Sequence, residues 1–356
     1  MTHSSDNAPN PDECLDLLII GAGPAGLHAA AAAQDEGLSY RVIDRRGLAH
    51  SFVEYPQTLR FFSPPDEMEV AGVPLPMRGG EKPTREDILP YFRSAAAYRK
   101  LNLSLWESIE SISVQGGCFN IATLLEPGRN RAGRYCARFL LLASGVWDTP
   151  NTLQCPGAGL PHVRYRFHEP TEYFDHDVVV VGGGNSAVHA ALSLAEARAR
   201  VTFVMRRPPA PFQSHLRPFV VRDLEMAVND RRLKLITSAV VRGVCADRVW
   251  LQPAEYDPEK PLGGTPTGDA FSIPARFVFA LLGQRPELAG LEGLQLKLQP
   301  DGRPCHDGET YETSVPRAYV AGSLAGQKID IIITAREQAA AVVRRIAARA
   351  AQGASS

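Results

Sequence analysis

The run Asp16-Leu17-Leu18-Ile19-Ile20-Gly21-Ala22-Gly23-Pro24-Ala25-Gly26-Leu27 admits few folds. Four consecutive apolar residues predict a strand buried on both faces, as in a parallel sheet. The run ends in G-x-G-x-x-G and passes into an alanine-rich segment, Leu27 to Glu36, that reads as a helix. Gly21 permits the tight turn, Gly23 lets a pyrophosphate approach the backbone, and Gly26 lets helix and strand pack closely. The helix N-terminus presents free N–H groups and a partial positive charge to phosphates. A second strand, Tyr40-Arg41-Val42-Ile43, ends at Asp44, about 20 residues on, where the fingerprint needs an acid for a ribose. This order of elements predicts a dinucleotide site built from Gly21, Gly23, Pro24, Ala25, Gly26, Asp44 and the adjoining Arg45.

The pattern returns at Val178-Val179-Val180-Val181-Gly182-Gly183-Gly184-Asn185-Ser186-Ala187, now as G-x-G-x-x-A with alanine at the packing position. A helix from Ser186 to about Ala197 and a strand Val201 to Met205 follow. Arg206 and Arg207 stand where Asp44 stood in the first unit. Two guanidinium groups in place of an acid suit a 2′-phosphate, which selects NADPH over NADH. Gly182, Gly184, Asn185, Ser186, Ala187, Arg206 and Arg207 form the second candidate site. Arg217 and Arg222, on a helix expected from Gln213 to Asn229, add cations near the same mouth.

Between the two units the chain is mixed. Leu48 to Pro83 is too rich in proline for regular structure, but its aromatics predict an ordered loop that covers part of the cofactor. Thr84 with Asp87 predicts a capping box that opens a helix to about Lys100. Leu101 to Leu125 and Tyr135 to Leu142 read as strands, with turns at Gly116-Gly117 and Glu126 to Gly133. Leu140-Leu141-Leu142-Ala143-Ser144-Gly145 is a strand ending in small residues, so Ser144 and Gly145 let the backbone approach a cofactor. Asn151 to Asp175 reads as a crossing, Phe277 to Gly283 as a buried strand, and Gln284-Arg285-Pro286 as the return. Ala318 to Ser323 is a late strand, before a helix from about Ile332 to Ala350. The fold class is α/β: two Rossmann-like dinucleotide-binding domains, the second (172–284) inserted in a discontinuous first (14–168 and 286–350), with tails at 1–13 and 351–356.

A chain of 356 residues is long enough for two cores. A net charge of −1 points away from nucleic acid and anionic membranes. No apolar run approaches the roughly 18 residues of a membrane span, and Met1 to Glu13 lacks the pattern of a signal peptide. The six cysteines, Cys14, Cys118, Cys136, Cys155, Cys245 and Cys305, are scattered, without C-x-x-C. That spacing predicts reduced cytoplasmic thiols rather than a disulfide framework or a metal site.

These residues resemble the two-dinucleotide-domain flavoproteins of the thioredoxin-reductase-like branch, and within it the YpdA-type bacillithiol disulfide reductase family. The resemblance runs from about residue 15 to residue 345; its matching segments are Gly21 to Gly26, Tyr55-Pro56, Phe61-Phe62-Ser63, Gly72-Val73-Pro74, Lys82 to Arg85, Tyr91, and His168-Glu169-Pro170 with Tyr173-Phe174 into Val181 to Val188, of which Phe61-Phe62-Ser63 and Lys82 to Arg85 are the most specific. It implies FAD on the first unit and NADPH on the inserted one, with the last strand closing over the flavin. It further implies that Gly322 and Ser323 meet the ribityl or phosphate groups, and that Asp330 and Ile331 open a helix at the flavin's pyrimidine end. Thioredoxin reductases carry a C-x-x-C that this chain lacks, and some members of the bacillithiol family have cysteine where this chain has Ala25.

The leading expectation is an FAD enzyme that takes hydride from NADPH and reduces a small disulfide, with a homodimer allowed. Cys14 and Cys155 are the nearest thiols in sequence, and His50, His168 and His215 lie in loops able to face a cleft, though buried cysteines and hydrogen-bonded histidines are commonly structural. Three alternatives stand beside it: a flavin oxidase or monooxygenase, a ferredoxin–NADP reductase, and a redox sensor without turnover. The F-x-G-x-x-x-H segment of flavin monooxygenases is absent before Val178, and Ala347 to Ser356 has none of the aromatic residues that shield the flavin in ferredoxin–NADP reductases of this type.

Overall fold

The computed structural model describes residues 14–61, 63–78, 81–125, 129–208, 216–257, 264–326 and 331–353. Phe62, Gln213 to His215 and Asp330 therefore lie outside the described residues, as do both ends of the chain. Two compact units emerge: residues 1–54, 59–148 and 285–356 form the first, and 55–58 with 149–284 form the second.

The chain begins the first unit with β1 (Cys14–Ile20), α1 (Pro24–Asp35), β2 (Tyr40–Asp44) and a short α2 (His50–Val53). Then come α3 (Arg85–Arg99), β3 (Leu103–Leu105), β4 (Glu107–Gln115), β5 (Cys118–Leu125) and β6 (Arg129–Leu142). The sheet order is β3-β2-β1-β6-β5-β4. Leu17, Leu18 and Ile19 are fully buried, as an apolar run in a sheet covered on both faces must be. β6 is longer than the expected Tyr135–Leu142 and serves two layers. Arg129 to Ala137 pairs antiparallel with β5, while Cys136 to Leu142 runs parallel to β1. Residues 129–133, expected in a turn, thus belong to a strand. The capping box at α3 forms as expected: the Thr84 side chain accepts from the Asp87 N–H, and the Asp87 carboxylate accepts from the Thr84 N–H at 2.8 Å.

The second unit contains β7 (Thr149–Pro150), β8 (Val163–Arg164), β9 (Asp177–Gly182), α4 (Asn185–Glu196), β10 (Arg200–Val204), α5 (Pro218–Asn229) and β11 (Leu233–Ile236). Its later strands are β12 (Ala239–Val244), β13 (Arg248–Tyr256), β14 (Gly264–Pro266), β15 (Phe271–Pro274) and β16 (Phe277–Leu281), with β17 (Gln284–Arg285) at the return. A parallel sheet of order β11-β10-β9-β16-β8 carries the nucleotide pattern. β8 lies in the expected crossing and joins this sheet beside β16, so the units divide at Asp148, earlier than residue 168. The antiparallel group β12 to β15 was not legible as strands, because its short segments alternate weakly and carry charge.

The first unit closes with β18 (Ala318–Val320), parallel to β6, and α6 (Ile331–Gly353). α6 packs on α1, whose Ala25, Ala29, Ala30 and Ala33 are buried. Methyl-sized side chains let the two backbones approach, and Ala339, Val342, Val343 and Ile346 of α6 are fully buried. Among the described residues no helix is long and apolar enough to cross a membrane.

Candidate functional site

In the first unit the glycine loop is held by contacts that only these residues allow. Gly21 has φ +111°, and a Cβ there would lie 2.5 Å from the Ala143 carbonyl oxygen. A Cβ on Gly26 would fall 1.8 Å from the Gly21 oxygen, so the first turn of α1 rests directly on the loop. A Cβ on Gly23 would meet nothing within 4 Å. The first and third glycines are thus demanded by packing, whereas the second faces open space.

Asp44 sits at the end of β2, as expected, and has a second task. Its Oδ2 accepts the Ala22 N–H at 2.7 Å and its Oδ1 accepts the Arg46 N–H at 2.8 Å. Burial pushes its carboxyl above the ordinary value, against the pull of these two donors. A carboxylate has about four lone-pair positions, so two remain for hydroxyl donors. Arg45 pairs with Asp148 at 2.9 Å. His50 lies 2.6 Å from an Arg46 guanidinium nitrogen and 3.4 Å from Glu54, and burial lowers its pKa, so its contacts are structural.

The ends of β6 and β18 converge beside this loop. Gly322, at φ +71°, leaves room for Ala25, whose Cβ would lie 2.8 Å from a Cβ placed there. The Ser144 hydroxyl is buried without a hydrogen-bond partner, and a Cβ on Gly145 would come 3.4 Å from Ser323 Oγ. The structure therefore brings Gly21 to Gly26, Ser144, Gly145, Gly322 and Ser323 together. Ile331 is the first residue of α6, and Ser63 is half-buried in the proline-rich loop.

That loop is held by side chains of α3 and α1. The Tyr91 hydroxyl on α3 accepts the Val70 N–H at 2.7 Å and donates to the Val73 carbonyl. The Ala71 N–H donates to Nδ1 of His28 on α1 at 3.3 Å. Burial, reinforced by Arg336, lowers the His28 pKa to about 4, so the ring is neutral.

In the second unit Gly182 to Ala187 repeats the arrangement. A Cβ on Gly182 would lie 2.5 Å from the Leu281 oxygen and 2.7 Å from the Ala187 Cβ, while one on Gly184 would meet nothing within 4 Å. Ala187 is fully buried, Ser186 is exposed, and Oδ1 of Asn185 is buried without a partner. The Arg206 and Arg207 guanidinium carbons stand 5.3 and 5.2 Å from the centre of the Tyr256 ring. Arg217 caps α5, which starts at Pro218 rather than Gln213, and Arg222 pairs with Asp223. His168 is exposed, and burial raises the thiol pKa of Cys155, the opposite of an activated nucleophile.

Residues 18–322 match the sequence profile described as pyridine nucleotide-disulphide oxidoreductase. The chain belongs to this family. It is a flavoprotein oxidoreductase that works with FAD and NAD(P)H. It is 30% identical over 310 residues to the bacilliredoxin reductase Bdr of Bacillus subtilis, covering 86% of this chain and 89% of that one. It is also 32% identical over 349 residues to a ferredoxin–NADP reductase of Saccharopolyspora erythraea, covering 95% and 94%. Among solved structures, the bacillithiol disulfide reductase Bdr (YpdA) from Bacillus cereus matches with a TM-score of 0.84 and 28% identity, covering 95% of this chain and 100% of that one.

One expectation fails. Cys14 and Cys136 are not scattered thiols but a disulfide across β1 and β6, and Cys118 lies beside them. Their sequence separation of 122 hid a pairing that only the strand order creates. Gln338 was also missed: it lies deep in an alanine-rich helix, yet its Oε1 accepts the Gly322 N–H at 2.8 Å. Tyr256 gave no signal either, since nothing near it in sequence points to the arginines.

Proposed function

We propose that the chain catalyses NADPH-dependent reduction of a small disulfide of the bacillithiol disulfide class. The likeness to the Bacillus cereus reductase, which spans all of that chain, carries this reading. In it the first unit is the FAD-binding domain and the second the NADPH-binding domain. FAD, when bound, accepts hydride from NADPH and supplies the electron pair that cleaves a disulfide.

The chain's own residues have assignable parts. Gly21, Gly23, Pro24, Ala25 and Gly26 would hold the FAD pyrophosphate, with Asp44 on the ribose hydroxyls and Arg45 set by its pair with Asp148. Phe62, Ser63, Ser144, Gly145, Gly322 and Ser323 would line the remainder, and the orphaned Ser144 hydroxyl supports that fit because it needs a partner. Ile331, the first residue of α6, would set that N-terminus toward negative charge on the flavin, and Asp330, outside the described residues, is the other candidate there. Gly182, Gly184, Asn185, Ser186 and Ala187 would cradle the NADPH pyrophosphate, and Arg206 and Arg207 would take the 2′-phosphate. No thiol stands in the FAD loop, where this chain has Ala25, and Cys14 lies seven residues from Gly21 along β1, roughly 20 Å away. The substrate disulfide therefore receives electrons without a protein dithiol relay. The same reading has the enzyme in the cytoplasm as a homodimer, checked by sedimentation.

Anaerobic rapid mixing with NADPH should bleach the flavin, and bacillithiol disulfide should restore it with steady turnover. Reoxidation by ferredoxin but by no disulfide would make the chain a ferredoxin–NADP reductase, as the Saccharopolyspora relative is named. Reoxidation by oxygen alone would make it an oxidase.

A further inference from the structure

Three strands of the first unit bring three cysteines together. Cys14 and Cys136 are partners across the parallel β1–β6 pair, 4.6 Å apart between Cα atoms, and their sulfurs are bonded. Cys118 opens β5 two residues before Asn120, which is the partner of Cys136 across the antiparallel β5–β6 pair. Cys118 and Cys136 therefore share one face of the sheet. Phe119, Ile121, Tyr135 and Ala137 take the other face and enter the core. The three sulfurs lie within 4.8 Å of one another, and all three residues are half-buried.

We propose that this trio, once its disulfide is reduced, binds one soft d10 cation of the Cu(I) class through three thiolates. A metal about 2.3 Å from each of three sulfurs in one plane spaces them about 4 Å apart, inside the 4.8 Å within which the sheet gathers all three. Hydrogen-bonded neighbouring strands hold that separation, so little rearrangement is needed beyond opening the bond between Cys14 and Cys136. Among the described residues no histidine, aspartate or glutamate joins the group. An all-sulfur set selects soft ions over magnesium or calcium. It also lacks the fourth ligand with which structural zinc sites are closed. Half-burial leaves a path for the ion from solvent. The trio lies at the opposite end of β1 from the glycine loop, so it is separate from the dinucleotide site.

A phosphine and one water convert the disulfide to two thiols, the phosphine leaving as its oxide. In a cell, two low-molecular-weight thiols do the same and leave joined as a disulfide. Cation binding then displaces three protons, one from each thiol, to solvent.

The test uses the FAD-loaded protein, reduced with tris(2-carboxyethyl)phosphine, freed of it without air, and titrated with Cu(I) held by bicinchoninate. The reduced protein should withdraw one copper per chain and gain an ultraviolet thiolate-to-copper band. Mass mapping should then find Cys14, Cys118 and Cys136 shielded from iodoacetamide while Cys155, Cys245 and Cys305 react. Cys118→Ser and Cys14→Ser should each weaken uptake at least about tenfold, since even the loss of an outer-shell partner has that effect. Cys245→Ser should leave it unchanged, and all three variants should keep NADPH-driven flavin reduction. Reduced wild-type protein that withdraws no more copper than Cys118→Ser overturns the proposal. So does equal uptake by the unreduced protein, or shielding of a different set of cysteines.

Discussion

Single atoms decide what the first glycine loop tolerates. Gly26→Ala drives a Cβ to 1.8 Å from a backbone oxygen, so α1 must lift off the loop. We expect the variant to unfold or to lose more than about 3 kcal/mol, read by urea titration. Gly23→Ala meets nothing within 4 Å and has φ −83°, which alanine adopts freely. Its stability should stay within about 1 kcal/mol of the parent, while FAD retention through gel filtration falls sharply. A Gly23→Ala variant that keeps its FAD would show that the pyrophosphate does not approach there. His28 supplies a pH dependence at the same scale. Its folded pKa is about 4 against 6.5 for an exposed ring, so between those values the unfolded chain binds the extra proton. Stability therefore falls as pH drops from 6.5 toward 4, by up to roughly 3 kcal/mol, and this ring adds no slope above 6.5. His28→Asn keeps an acceptor near Nδ1 and should flatten the midpoint-against-pH curve across that window. An unchanged curve would assign acid sensitivity elsewhere.

Under the proposed function, secondary elements carry specificity in the second unit. β10 ends at Val204 and delivers Arg206 and Arg207, while β13 ends at Tyr256 and lays its ring under both. Charge-assisted contacts to a phosphate contribute roughly 1.5–3 kcal/mol each. Replacing both arginines with glutamine should raise the KM for NADPH at least about tenfold and leave that for NADH nearly unchanged. Under the same reading Tyr256 would act by positioning: a cation over a ring is worth about 0.5–1 kcal/mol at an exposed site. Tyr256→Leu should raise the NADPH KM severalfold at constant kcat, and an equal rise for NADH would remove Tyr256 from 2′-phosphate recognition. In the first unit α6 plays a comparable part, since Gln338 reaches back to the Gly322 N–H and fixes the end of β18.

At the scale of the whole chain, the first unit is assembled from stretches that precede and follow most of the second in sequence. β18 joins the sheet beside β6, and α6 covers α1, so the first unit is complete only when residues past 317 have folded onto those up to 148. The purified protein should carry about one FAD per chain. NADPH should bleach it in the parent and in every single Cys→Ala variant, including those of the disulfide. A colourless protein that takes up no added FAD would remove the flavoprotein reading. A cysteine variant that binds FAD yet is not bleached would restore a thiol to the catalytic path.

Local sequence determined what depends on near neighbours. The strand–glycine–helix units, Asp44 and the paired arginines at strand ends, and the Thr84–Asp87 capping box are each written within about 30 residues, because backbone sterics and short-range hydrogen bonds set them. The small residues at Ser144, Gly145 and Gly322 were legible as strand ends, but the approach of Ser144 to Gly21, of Gly145 to Ser323 and of Gly322 to Ala25 was not. Tertiary structure alone decided the long-range pairings: Gln338 with Gly322, Tyr256 with the arginines, and β8 with β16. It also decided the cysteines. Cys14 and Cys136 are 122 residues apart, and only the parallel pairing of β1 with β6 puts them 4.6 Å apart between Cα atoms. Strand order is a property of the folded sheet, and no spacing along the chain encodes it.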